Sequence, residues 1–278
     1  MPSFDTPGPI SATIEFDIAS VRIAAGKRTD TVVEVRPADP AVEADVKAAE
    51  QTRVSYAGGA LVVKGPKKRS LFGRAGSVDV TVELPAGSEV HGNAPMGDFL
   101  CEGLLGDCRV RTSVGRIQVE HADSVHLRTD HGDVRLRRAD GDAEVNGSGR
   151  VEIGTVAGTV TVKNLNGETV IGEAGGDLKV NSSNGQIQVG AALGDVDIKT
   201  AQGAVRIGEV VRGRVVLQSA IGELEVGIRE GTAAWLDVHT KLGSLRNSLG
   251  AAAGPGEATE RVEIRGRTQL GDIVIRRS

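Results

Sequence analysis

Residues 176–221 read GDLKVNSSN, GQIQVGAAL, GDVDIKTAQ, GAVRIGEVVR, GRVVLQSAI, five consecutive units that each open on glycine. Two and four places after each glycine stand Leu178 and Val180, Ile187 and Val189, Val196 and Ile198, Val205 and Ile207, Val215 and Leu217. Apolar residues two apart with polar ones between them describe a short strand buried on one face. The beat extends in both directions. Fifteen units of eight to ten residues start between Gly97 and Gly222, and fourteen of the starts are glycine, Asp123 being the exception. A fixed period of this kind marks an architecture of stacked repeats.

Neighbouring units alternate. Five places after the start, one set carries glycine, at Gly154, Gly172, Gly190, Gly208 and Gly227. The other set carries a polar pair, as in Arg128-Thr129, Lys163-Asn164, Asn181-Ser182, Lys199-Thr200 and Gln218-Ser219. The structural repeat is therefore about 18 residues, with two short strands and two kinds of corner. Glycine suits a corner of positive φ or close backbone approach, and Asn, Ser or Thr one where a short side chain bonds the turning backbone. An all-β solenoid of parallel β-helix or β-roll type accounts for this better than an antiparallel meander, because fifteen short strands exceed what an open twisted sheet usually holds. A thin column of Val, Ile and Leu also explains why aromatic residues are only 2% of the chain.

Residues 1–95 follow another pattern and read as a β-rich cap, with the solenoid over 96–278. Alternating stretches at 13–18, 20–24, 31–36 and 77–84 are strands, and Gly58-Gly59 between 53–57 and 60–64 is a hairpin turn. Asp39-Pro40 offers an N-cap and first-turn proline for a helix over 40–52. Beyond Gly222 the beat persists at 235–238, 243–246, 261–265 and 271–275, interrupted by a loop at 249–259. Trp235, the single tryptophan, is expected to plug the last coil.

Composition narrows the function classes. The chain has 278 residues, a net charge of −4 and 25% charged residues, which argues against nucleic acid as the main partner. No apolar run is long enough to span a bilayer. The opening residues MPSFDTPGPISATIEF lack a basic start followed by an apolar stretch, so no signal peptide is expected and the cytoplasm is the default compartment. Cys101 and Cys108 fall on inward positions and are expected to be small, reduced core residues. The basic run Lys64, Lys67, Lys68, Arg69 and Arg74 reads as a solvated loop.

No pattern names a reaction. His121, Asp123, His126, Asp130, His131 and Asp133 are close in sequence, but the repeat register sends the three histidines to different corners and faces, so no metal site is expected. Aspartate directly after glycine, as in Gly176-Asp177 and Gly194-Asp195, is not the GGxGxD arrangement of calcium-binding rolls. The acidic positions Asp142, Glu144, Asp177, Asp195 and Asp197 gather on one outward face. They read first as solvated surface and second as a binding surface or a pair of acid–base carboxylates. No catalytic residue and no cofactor is expected.

The repeated G-D-V-x-V/I pattern, seen in Gly194-Asp195-Val196-Asp197-Ile198, together with Phe4-Asp5-Thr6 at the start and Thr268-Gln269-Leu270-Gly271-Asp272-Ile273-Val274-Ile275 at the close, resembles a large bacterial family. That family is a β-strand-repeat domain of unknown function labelled "putative adhesin". The resemblance implies the fold over nearly the whole chain and a surface or binding role. The reading is thus a non-enzymatic binding or scaffolding module with a protein or glycan partner. End-to-end self-association into a filament, and a carbohydrate-active enzyme using Asp177 and Asp195, are the alternatives.

Overall fold

Glycine corners with aliphatic residues two apart between them give this chain short parallel strands. The computed structural model describes residues 1–66, 76–250 and 258–278. The chain divides into two units, Met1–Asp140 and Gly141–Ser278.

The first unit begins with β1 (Ser3–Asp5), β2 (Ser11–Glu15), β3 (Ala19–Gly26) and β4 (Asp30–Pro37). The helix α1 (Glu43–Glu50) follows, then β5 (Arg53–Ala57), β6 (Ala60–Lys64), β7 (Val78–Pro85), β8 (Glu89–Met96), β9 (Phe99–Val114), β10 (Ile117–His131) and β11 (Val134–Ala139). Strand β2 lies parallel to both β6 and β8, and β3 lies parallel to both β7 and β9. The early strands were expected to sit as a cover on the first coil; β2 and β3 are instead inner layers. Their alternate residues Ala12, Ile14, Val21 and Ile23 are buried, with a paired strand along each edge. Covering falls to antiparallel strands: β4 against β7 and β1, and β5 against β6. The expected boundary at 95/96 falls inside this unit, where β8 leads into β9.

Gly58 and Gly59 turn the β5–β6 hairpin with φ of 57° and 80°, angles that favour glycine. The helix starts later than Asp39-Pro40 suggests. Its N-cap is Val42, with no side-chain cap. The buried Asp45 carboxylate accepts the Asp39 and Ser77 N–H groups (3.2 and 2.8 Å), while Asp39 Oδ1 accepts the Ala41 N–H. Asp39 thus closes a turn ahead of the helix. The basic run 64–74 lies mostly outside the described residues, as does the loop at 249–259.

The second unit is regular. Its strands are β12 (Ala143–Gly147), β13 (Val151–Val156), β14 (Val160–Asn166), β15 (Thr169–Ala174), β16 (Leu178–Asn184), β17 (Ile187–Ala192), β18 (Val196–Gln202) and β19 (Val205–Val210). They continue with β20 (Gly213–Ile221), β21 (Leu224–Ile228), β22 (Thr232–Leu242), β23 (Leu245–Asn247), β24 (Glu260–Leu270) and β25 (Ile273–Arg277). Even- and odd-numbered strands form two parallel ladders: Val160 faces Leu178, which faces Val196, and Thr169 faces Ile187, which faces Val205. These steps are the expected 18 residues. The inward columns, such as Val196, Ile198, Val205 and Ile207, are buried; each such side chain contributes roughly 1.5–3 kcal/mol.

Chain order departs from stacking order at the end. β24 pairs with both β20 and β22, and β25 with both β21 and β23. The last two strands are therefore inserted between two earlier coils. Trp235 does not plug the stack: it lies on the outward face of β22, 55% exposed, with the Arg265 guanidinium 5.9 Å from its ring centroid. Its parity decides this, because Ala234, Leu236 and Val238 pair with Val262, Ile264 and Gly266 of the inward column.

The corner that carries the polar pair has a physical reason. A Cβ on Gly185 would collide with the Gly167 carbonyl oxygen, one on Gly203 with that of Gly185, and one on Gly222 with that of Gly203. At the same corners the polar pair reaches the glycine carbonyl. Thr129 Oγ1 donates to Gly115 O (3.0 Å), Asn164 Nδ2 to Gly149 O (3.0 Å), Thr268 Oγ1 to Gly222 O (3.1 Å) and Thr240 Oγ1 to Gly271 O (2.8 Å). Thr200 Oγ1 is buried without such a partner.

Gly185→Ala should destabilise the protein by about 3 kcal/mol or more, since it adds a backbone collision to a φ of 127°. Gly26→Ala, whose Cβ meets nothing within 4 Å, should change the urea midpoint little. In the same measurement Thr268→Val should cost about 1–2 kcal/mol by orphaning a carbonyl, whereas Thr200→Val should be neutral or stabilising.

Candidate binding groove

The acidic positions on the outward face serve the stack. Five of the aspartates that follow a glycine, Asp98, Asp142, Asp177, Asp195 and Asp272, accept a backbone N–H from another layer. Asp142 Oδ1 accepts the Thr159 N–H (2.8 Å), Asp177 Oδ1 that of Asp195 (3.1 Å), and Asp195 Oδ1 that of Arg214 (2.8 Å). Asp98 takes the Arg116 N–H in the first unit, and Asp272 that of Ser244 in the second. The Ser244 N–H, aided by Arg246, holds the Asp272 carboxyl below its usual range. Asp197 pairs with Lys199 (3.4 Å), and Glu144 accepts from Asn146 Nδ2 (3.2 Å). Asp177 and Asp195 are therefore neighbours along a corner, with one oxygen of each engaged in coil-to-coil bonding.

The histidine-rich stretch does not converge. His121 Nε2 lies 2.8 Å from Asp140 Oδ2, and the Asp140 carboxyl is held low by Arg138 first and His121 second. His131 stands in register with Val114. Among the described residues no group of three His, Cys, Asp or Glu could hold a metal. Cys101 and Cys108 are free and buried. Its hydrogen bond to Cys101 and burial push the Cys108 thiol up, so it stays protonated.

A concave feature of the second unit lies elsewhere. A groove of about 530 Å³ runs across the polar corner of β16, β18, β20, β24 and β22. One outward ladder crosses these layers. Lys163 faces Asn181, Asn181 faces Lys199, Lys199 faces Gln218, Gln218 faces Arg267, and Arg267 faces His239. All but the first line the groove, joined by Lys241 from the next outward column, where Ala201 and Ala220 leave room with short side chains.

Charge is one-sided here. The lining contains Lys199, His239, Lys241 and Arg267 and no carboxylate, in a chain of net charge −4. Two of the cations are partly neutralised from beside the groove, Lys199 by Asp197 and Arg267 by Asp237 (2.6 Å). Lys163, His239 and Lys241 have no ion-pair partner among the described residues. Sequence reading had the polar column but assigned it only to corner geometry. The alternation of cation and amide along that column, separated by about 18 residues, was the available signal.

No helix among the described residues is long and apolar enough to cross a membrane. No curated protein matches the chain. Solved structures do. A "putative adhesin" from Bacteroides fragilis is 12% identical, with 99% of this chain and 95% of that chain covered and a TM-score of 0.34. A "putative lipid binding protein" from Parabacteroides distasonis is also 12% identical, covering 100% and 95%, with a TM-score of 0.31. A "putative cell adhesion protein" from Clostridium sporogenes is 10% identical, covering 100% and 98%, with a TM-score of 0.21. The family profile Toastrack DUF4097 matches residues 12–261. The chain belongs to the Toastrack DUF4097 family.

Proposed function

We propose that this chain is a non-catalytic binding module whose groove takes a linear, sparsely charged acidic polysaccharide. The ladder Lys163, Asn181, Lys199, Gln218, Arg267, His239 carries the reading. Strands stack at about 4.8 Å, so cations on alternate rungs recur at roughly 10 Å. Each strand of a nucleic-acid duplex presents a charge every ~3.4 Å of axis, far denser than this ladder, and the groove has no aromatic platform for the bases of a single strand. A polymer with one carboxylate per two sugar units matches the rungs better. Its carboxylates meet Lys199, Arg267 and the neighbouring Lys241, and its hydroxyls meet the amides of Asn181 and Gln218.

The lining itself offers no carboxylate pair for acid–base work on such a ligand, and Asp197 and Asp237 beside it are engaged by Lys199 and Arg267. Each exposed cation contributes about 0.2–1 kcal/mol, so a short fragment binds weakly and a long polymer gains by repeated engagement. Polymers of this class occur chiefly outside cells, so the proposal places the groove's use at the cell envelope rather than in the cytoplasm.

The test is titration with hyaluronate, which carries one carboxylate per disaccharide, beside neutral dextran and a polyphosphate of similar length. Hyaluronate should bind in a salt-sensitive manner, and Lys199→Gln combined with Lys241→Gln should weaken it about tenfold, a loss of about 1.4 kcal/mol. Equal binding of dextran, or full binding by the double variant, would overturn the reading.

A further inference from the structure

His239 is the one histidine of the second unit; the other four, His91, His121, His126 and His131, lie in the first. It stands exposed on the outward face of β22, in register with Arg267 of β24, and lines the groove with Lys241 two residues further along its own strand. Histidine is the side chain whose charge ordinarily changes between about pH 5 and 8. The other charged residues of the lining, Lys199, Lys241 and Arg267, are of types that stay cationic throughout that range.

The charges around His239 decide how much that one proton matters. On β24, Arg267 is turned toward Asp237: its Nη2 donates to both Asp237 carboxylate oxygens (2.7 and 2.6 Å), and its Nη1 to the Asp237 and Gly266 carbonyls (2.7 and 3.1 Å). Asp237, two residues before His239 on β22, is thereby occupied. Arg265, the next outward cation of β24, is bound by Glu263 (2.6 Å). Across the groove, Lys199 is held by Asp197 (3.4 Å). With His239 neutral, Lys241 is the single lining cation without an acidic partner among the described residues; with His239 protonated there are two.

We infer that His239 is the pH-responsive contact of the groove, which grips an acidic polymer more tightly as the medium acidifies. This rests on the reading of the groove as the site of such a polymer. His239 is a rung of the same ladder as Lys199 and Gln218, so a chain laid across those rungs reaches it. The carboxylates of the polymer titrate near pH ~4, so between ligand and lining only the histidine changes charge over pH 5–8. An exposed ion pair gained in this way raises affinity by up to about fivefold. The coupling is reciprocal: whatever factor the proton adds to polymer affinity, bound polymer adds to proton affinity.

Calorimetric titration of the full chain with hyaluronate at about pH 5.5 and about pH 7.5, at one ionic strength, tests this. The dissociation constant should be about threefold lower at the acidic value. Between the two, binding should take up protons, read as a heat that differs between buffers of unlike ionisation enthalpy. His239→Gln should bring the ratio of the two dissociation constants close to one. His239→Arg, a cation at either pH, should flatten the profile as well, while binding more tightly than His239→Gln at both. Wild-type binding of equal strength at the two pH values would overturn the inference and leave the groove reading standing. A pH dependence that survives in His239→Gln would also overturn it, and would trace to the histidines of the first unit. Absence of binding at either pH would remove the groove reading and this inference together.

Discussion

At the main corner the backbone of one layer passes so close to the backbone of the next that no Cβ fits between them. Gly167, Gly185, Gly203 and Gly222 stand in one such column, each over the carbonyl of its predecessor. This close approach fixes where each layer turns, and hence which residues face inward. The Val and Ile columns can be continuous only because every layer bends at the same height in register. Hydrophobic burial supplies the larger free energy, but it is non-directional and would tolerate a slipped layer. The corner does not.

Polar groups at the corners complete that constraint. Threonine or asparagine satisfies the glycine carbonyl from inside, while aspartate satisfies an N–H of the next layer from outside. Both are short side chains with little rotamer freedom to lose. The acidic face and the polar column are thus parts of one device, and the groove occupies the stretch where the outward members of that column are cations and amides.

Much of this was legible in the sequence because the period is local. Glycine recurrence gave the corners, and alternation within each unit gave the inward positions at Val196 and Ile198. Even the β5–β6 hairpin was readable, from Gly58-Gly59. What periodicity could not reveal was the order of layers. Nothing local in β2 or β24 says that each will lie between two layers distant in sequence, since an inserted strand has the same alternation as a sequential one. Trp235 was misplaced for a related reason: its bulk suggested a plug, but its parity along β22 puts it outside. The groove was missed because its lining converges from β16 through β24 only after stacking.

The insertion of β24 and β25 has a consequence for how the molecule is made. As the chain leaves the ribosome, the second-unit layers up to Ile228 can add one by one onto a finished neighbour. Then β22 and β23 emerge before the surface they pair with exists, because β24 and β25 are made after them. Those residues must wait, with Leu236 and Val238 uncovered, until the final strands slip beneath them. Completion of this part of the stack is therefore tied to the arrival of the C-terminal strands, and a nascent chain halted after Asn247 would carry an undocked aliphatic segment.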